Sequence, residues 1–109
     1  SYNHEVELAA IVNLVYLSAR DYYRVEREDK AGTGFVDFIF YPYNKEEYPG
    51  IILELKIDST PQEAIAQIND KKYELRLKGK LGEKGLEQIV KVGISYNKKT
   101  KSHQCKVEI

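Results

Sequence analysis

Two stretches decide the fold: Phe35-Val36-Asp37-Phe38-Ile39-Phe40-Tyr41, and after a polar connection over Pro42 to Gly50, Ile51-Ile52-Leu53-Glu54-Leu55-Lys56-Ile57. The first is apolar on both faces apart from Asp37, the pattern of a strand covered on both sides. The second alternates, with Ile51, Leu53, Leu55 and Ile57 on one face and Ile52, Glu54 and Lys56 on the other. Working outward, residues 4–21 carry Leu8, Ile11, Val12, Val15 and Ala19 at helical spacing, with Leu14 and Leu17 widening the stripe, which predicts a largely covered helix. Residues 22–28 alternate as a strand, and Ala31-Gly32-Thr33-Gly34 forms the turn into the next.

Downstream, Thr60-Pro61-Gln62-Glu63 is a helix start, with Thr60 as N-cap, Pro61 at N1 and Glu63 closing a capping box. The helix is expected to run from Pro61 to Leu77 and to bury Ala64, Ile65, Ile68 and Leu75, with a loop from Gly79 to Gly85. Residues 88–96 and 101–109 read as strands joined by a turn at Asn97-Lys98-Lys99-Thr100. The order α-β-β-β-α-β-β gives an α/β domain with a mixed sheet.

The 109 residues fit one small domain. No apolar run reaches the roughly 18 residues that cross a bilayer, and the N-terminus does not read as a signal peptide. The lone Cys105 excludes an internal disulfide and a multi-cysteine zinc site, so a reducing, cytoplasmic setting is expected, with Cys105 as a packed thiol. The absence of Met points to a piece of a longer chain. His4 and His103 form no metal-ligand pair and read as surface residues. Net charge is zero but polarised: residues 1–70 hold six basic and thirteen acidic side chains, a net of −7, and residues 71–109 hold eleven and four, a net of +7. That split is either an electrostatic footprint for a polyanion or a solvated lysine-rich face.

Asp37 and Glu54 are the informative exceptions to apolar strands. A carboxylate on a central strand loses hydration and needs compensation. Two on adjacent strands repel unless a cation lies between them, and hard oxygen donors favour Mg²⁺ or Mn²⁺. Lys56, about 6 to 7 Å along the strand from Glu54, stands where it can hold a water or a phosphate oxygen. The competing reading is a buried salt-bridge network of Asp37, Glu54 and Lys56 without function.

Gly32-Thr33-Gly34-Phe35-Val36-Asp37, followed 17 residues after Asp37 by Glu54-Leu55-Lys56, resembles the D…E-x-K signature of the PD-(D/E)XK nuclease superfamily. Tyr2-Asn3-His4-Glu5, Ala64-Ile65-Ala66-Gln67-Ile68 and Val92-Gly93-Ile94-Ser95-Tyr96-Asn97-Lys98-Lys99 extend the likeness over nearly the whole chain. They resemble the small nuclease-like domain at the C-terminal end of bacterial AAA-ATPase-like proteins. The resemblance implies a restriction-endonuclease-like core spanning residues 1–109 and a metal-dependent nuclease, DNA before RNA. Asp37 and Glu54 would bind Mg²⁺ or Mn²⁺, with the Leu55 carbonyl as a further ligand, and Lys56 would position the attacking water. Glu5 matches an acidic residue that many members bring to the metal, with Glu7 the competing choice. Gln67 matches a polar residue of the following helix, although its usual tyrosine companion four residues on is Lys71 here, and Tyr73 comes later. Implied partners are nucleic acid, an ATPase-like region of the parent chain and a second copy, and no membrane. Lys71, Lys72, Lys98 and Lys99 are expected on the rim of the cleft, contacting phosphates. The alternative is a non-catalytic module that keeps the fold and binds a partner domain or nucleic acid.

Overall fold

The computed structural model describes residues 14–30, 35–71, 73–81 and 89–109. Residues 14–19 are helical (α1) and lead through a turn into β1, Tyr23–Lys30. β2 (Phe35–Pro42) and β3 (Gly50–Ile57) follow, then α2 (Pro61–Lys71), α3 (Tyr73–Leu81), β4 (Ile89–Tyr96) and β5 (His103–Glu108). The five strands form one sheet in the order β1-β2-β3-β4-β5. β3 and β4 run parallel and the other neighbours antiparallel, so the sheet is mixed, as the element order predicts.

The period of two divides the core. Ile39, Tyr41 and Ile52 point to one face and pack against Ile65, Ile68, Tyr73 and Leu77 of α2 and α3. Val36, Phe38, Phe40 and Leu55 point to the other, where Val15 and Ala19 of α1 reach them. β2 and β3 are therefore covered on both sides, which is why they read as near-continuous apolar runs. No described helix is long and apolar enough to cross a membrane.

Four expectations need correction. The helix from Pro61 does not run unbroken to Leu77: α2 ends at Lys71 and α3 resumes at Tyr73, continuing through Gly79 to Leu81. At 100° per residue an unbroken helix would turn Leu75 toward the sheet with Ala64 and Ile68 and carry Tyr73 and Leu77 away. The interruption reverses this, so Tyr73 and Leu77 are buried and Leu75 is 64% exposed. In α1, Val15 and Ala19, one turn apart on one face, meet the sheet, but Leu14 and Leu17 lie off that face and are exposed. Cys105 is exposed and not packed, because β5 is a sheet edge whose side chains lie largely in solvent. The predicted turn after β4 is also wider: Asn97 N donates to Ser102 O (2.9 Å), and Lys101 takes a positive φ of 57°.

Two backbone features seat α2 beside the centre of the sheet. Asp58 leaves β3 with φ of 53°, a conformation that Asp tolerates, while its N–H donates to Tyr96 O at 2.8 Å. The chain then turns to Thr60, whose Oγ1 accepts from the Glu63 N–H at 3.1 Å as the N-cap. Gly93 of β4 provides the seat: a Cβ there would stand 2.5 Å from Pro61 O, 3.0 Å from Ala64 Cβ and 3.1 Å from Ile65 Cγ1. Gly93→Ala is expected to push α2 off the sheet, at a cost of about 1–3 kcal/mol, and to lower the melting temperature by roughly 5–15 °C in a thermal scan.

Burial raises the Tyr41 phenol above its usual range, with the Glu26 charge adding to the shift and Arg24 opposing it. Burial raises Tyr23 as well. The folded chain keeps these protons where the unfolded chain releases them. The associated stability is complete below about pH 10 and is lost as pH rises further. Tyr41→Phe removes one such group, so the decline above pH 10 should become shallower by up to about 1.4 kcal/mol per pH unit, read from denaturant midpoints across an alkaline series.

Candidate active site

The antiparallel register of β2 and β3 sets Asp37 directly opposite Glu54. Directly opposed residues share a face, and Lys56 joins them two residues along β3. All three are buried: Asp37 is 1% exposed, Glu54 0% and Lys56 6%. The register of β1 places Glu28 opposite Asp37, so three carboxylates form a row across three neighbouring strands. On β4 the row reaches Gly93, whose missing side chain admits α2, and Ser95, also buried, is the partner of Lys56.

Like charges directly opposed across a ladder repel, and here they do so where water screens little. The side chains arriving from α2 and α3 answer this. Gln67 bridges β3's two ionic groups, its Nε2 donating to Glu54 Oε1 at 2.8 Å and its Oε1 accepting from Lys56 Nζ at 3.2 Å. One turn earlier on the same helix face, Glu63 Oε2 lies 4.0 Å from Lys56 Nζ and accepts from the Ser59 hydroxyl. From α3, Tyr73 Oη lies 2.5 Å from Asp37 Oδ2 and 3.0 Å from Glu28 Oε2. Burial raises the Tyr73 phenol well above its usual range, and its hydrogen bond to Asp37 raises it further, so it stands as a neutral donor. Arg76 donates to Glu28 and, at 3.3 Å, to Glu26 Oε1.

Among the described residues no three of His, Cys, Asp and Glu converge as a side-chain cage for a metal. The donor set still fits a hard cation of magnesium type, which is held by one or two carboxylates together with water and substrate oxygens. Asp37 and Glu54 supply two such carboxylates from facing positions, and Leu55, whose side chain is in the opposite core, has only its carbonyl to offer.

Of the remaining expected site residues, Glu5, Glu7, Lys72 and the side chain of Lys71 lie outside the described residues. Lys98 and Lys99 sit on the turn after β4. Lys98 Nζ is 3.3 Å from Asp58 Oδ2 and its N–H donates to Asp58 Oδ1 at 3.0 Å. Lys99 lines an open groove of about 370 Å³ together with Asp58, Ser59, Thr60, Glu63 and Asn97. Through Glu63 that groove adjoins Lys56. Glu28, Glu63, Tyr73 and Arg76 are site residues that sequence reading did not single out for chemistry. Glu28 had a legible signal, since pairing strands on either side of residues 31–34 brings it opposite Asp37. Glu63 shares a helix face with Gln67 by its i, i+4 spacing. Tyr73 had a partial signal, as the tyrosine that follows Gln67 at a spacing other than the one the resemblance implies; Arg76 had none, because its orientation follows from the setting of α3.

A family model described as the PD-(D/E)XK nuclease superfamily matches residues 5–106, a span that includes every strand of the sheet up to Lys106. Among curated proteins and among solved structures, nothing matches the chain significantly. The nucleases of that superfamily generally use divalent metals. On that match and that fold, the chain belongs to the PD-(D/E)XK nuclease superfamily.

Proposed function

We propose that this domain hydrolyses phosphodiester bonds of nucleic acid, DNA ahead of RNA, in a reaction that depends on Mg²⁺ or Mn²⁺. The observation that carries this reading is the direct cross-strand opposition of buried Asp37 and Glu54 with Lys56 on the same face, in a chain of a nuclease superfamily. Asp37, Glu54 and the Leu55 carbonyl would hold the cation. When bound, such a cation polarises a phosphoryl oxygen and lowers the pKa of a ligated water. The ammonium of Lys56 orients the attacking water and offsets the negative charge that grows on the non-bridging oxygens. Gln67 keeps Lys56 and Glu54 in fixed relation by bonding both. The water oxygen bonds to phosphorus as the ester oxygen opposite leaves and takes up a proton.

The groove at the ends of β3 and β4 supports an approach for the substrate from the Lys99 side, next to Glu63 and Lys56. Lys98 is already engaged by Asp58. Lys99 is therefore the better phosphate contact of the two.

The near-complete burial of Asp37 and Glu54 favours a second reading, a non-catalytic module in which the same groups are a structural network. One experiment separates the two: labelled single- and double-stranded DNA and RNA incubated with Mg²⁺, Mn²⁺ or chelator. Cleavage of DNA that chelator abolishes is the expected result. Failure to cut any polymer with either metal rejects the nuclease reading in favour of the module. In the active protein, Asp37→Asn should reduce cleavage by at least about 100-fold. Thermal melting should show it equally or more stable, since it relieves the repulsion with Glu54. Filter binding to DNA in Ca²⁺ across a salt series should show Lys99→Ala lowering the log–log slope by about one unit. Lys98→Ala should lower it by less.

A further inference from the structure

Tyr73 is buried, 3% exposed, yet its hydroxyl is not directed into the apolar core. It lies between two carboxylates that are themselves partners in the β1–β2 ladder, at 2.5 Å from Asp37 Oδ2 and 3.0 Å from Glu28 Oε2. A phenol carries a single proton, so the two acids share one donor. Glu28 is held from its other oxygen by Arg76, three residues after Tyr73 on α3. The same guanidinium stands over the Tyr73 ring, with Cζ 5.1 Å from its centroid. Arg76, Glu28, Tyr73 and Asp37 thus form a closed brace between α3 and the first two strands. The brace exists because α3 is rotated relative to α2. Without the interruption before Tyr73, this side chain would point away from the sheet.

The terminal torsion of an aspartate is broad, so packing alone leaves the plane of its carboxylate poorly defined. A charge-assisted hydrogen bond to one oxygen defines it, and with it the direction in which the other oxygen is presented. We propose that Tyr73, braced by Glu28 and Arg76, is a positioning residue that orients the Asp37 carboxylate toward a divalent cation shared with Glu54. This inference rests on the metal-site reading of Asp37 and Glu54 given above. Groups that orient metal ligands typically contribute 10- to 100-fold to metal affinity, and Tyr73 is assigned an effect of that order.

The test is Mn²⁺ binding to the whole chain, measured from the electron paramagnetic resonance signal of the free ion below the melting temperature of every protein compared. Tyr73→Phe keeps the buried ring and removes only the hydroxyl. It is expected to weaken Mn²⁺ binding by about 10- to 100-fold and to change the line shape of the bound ion. Arg76→Ala removes a half-exposed side chain, which the fold should tolerate. It loosens the brace while leaving the Tyr73 hydroxyl, so binding should weaken in the same direction, by several-fold. Asp37→Asn should weaken binding at least as much as Tyr73→Phe. If Tyr73→Phe and Arg76→Ala bind within twofold of the parent chain while Asp37→Asn does not, Tyr73 only packs and the proposal is overturned. If Asp37→Asn itself binds Mn²⁺ as the parent does, the metal-site reading fails, and the positioning role fails with it. Should Tyr73→Phe not fold, Arg76→Ala decides: several-fold weaker binding supports the brace, and unchanged binding overturns it.

Discussion

Two carboxylates held directly opposite each other across neighbouring strands, and withdrawn from water, repel more strongly than the same pair on a surface. Asp37 and Glu54 are in that position, and much of the surrounding structure answers it. Gln67 and Tyr73 each present a donor to one of the two acids, and Lys56 brings a positive charge to the same face. None of these groups makes the pairing favourable in the way that apolar side chains would, since exchanging buried ions for packed hydrocarbon commonly stabilises a fold. The two carboxylates are thus held in place at a cost in stability. They are kept there in a chain of the PD-(D/E)XK nuclease superfamily.

The helices are placed to serve this row of charges. α2 can approach because Gly93, the β4 partner of Glu54, has no side chain in the space occupied by Pro61 O, Ala64 and Ile65. Seated there, α2 directs Glu63 and Gln67, one turn apart, to Lys56, and Gln67 also to Glu54. α3 does the corresponding work at the other end of the row, where Tyr73 and Arg76 meet Glu28 and Asp37. Lys91 ties the two helices to β4 through Asn69 at 2.7 Å and Glu74 at 2.5 Å, so the relative setting of α2 and α3 is itself fastened to the sheet.

The polar groups are also graded along the site. At the Glu28 end the acids are bonded by a phenol and a guanidinium, and Arg76 is half-exposed. At the Lys56 end the site adjoins an open groove whose lining includes Glu63 and Lys99. Lys99 lines that groove, and Lys56 adjoins it through Glu63. The polarity of the chain, acidic through residue 70 and basic beyond it, sets the carboxylates of β1 to β3 apart from the lysines of the turn after β4.

What the amino-acid sequence determined by itself was local and periodic. Alternation in Ile51 to Ile57 placed Glu54 and Lys56 on one face, and the apolar run from Phe35 to Tyr41 marked a strand covered on both sides, with Asp37 its one charged member. These assignments follow from a backbone with a two-residue repeat, whatever surrounds it. The capping residues Thr60 and Pro61 likewise marked the start of α2 from short-range chemistry alone. Which carboxylates face each other was a matter of strand register, and the tertiary structure set Glu28, Asp37 and Glu54 in one line. The break before Tyr73 could not be read from helical periodicity, because Leu75 continues the apolar pattern of α2 and the sequence around Lys72 carries no Pro or Gly to stop a helix. Tertiary packing shows the outcome: Tyr73 and Leu77 are buried against β2 and β3, with the phenol on two acids, and Leu75 is exposed. Long-range contacts of this kind are summed only in the folded chain, and so no window of sequence contains them.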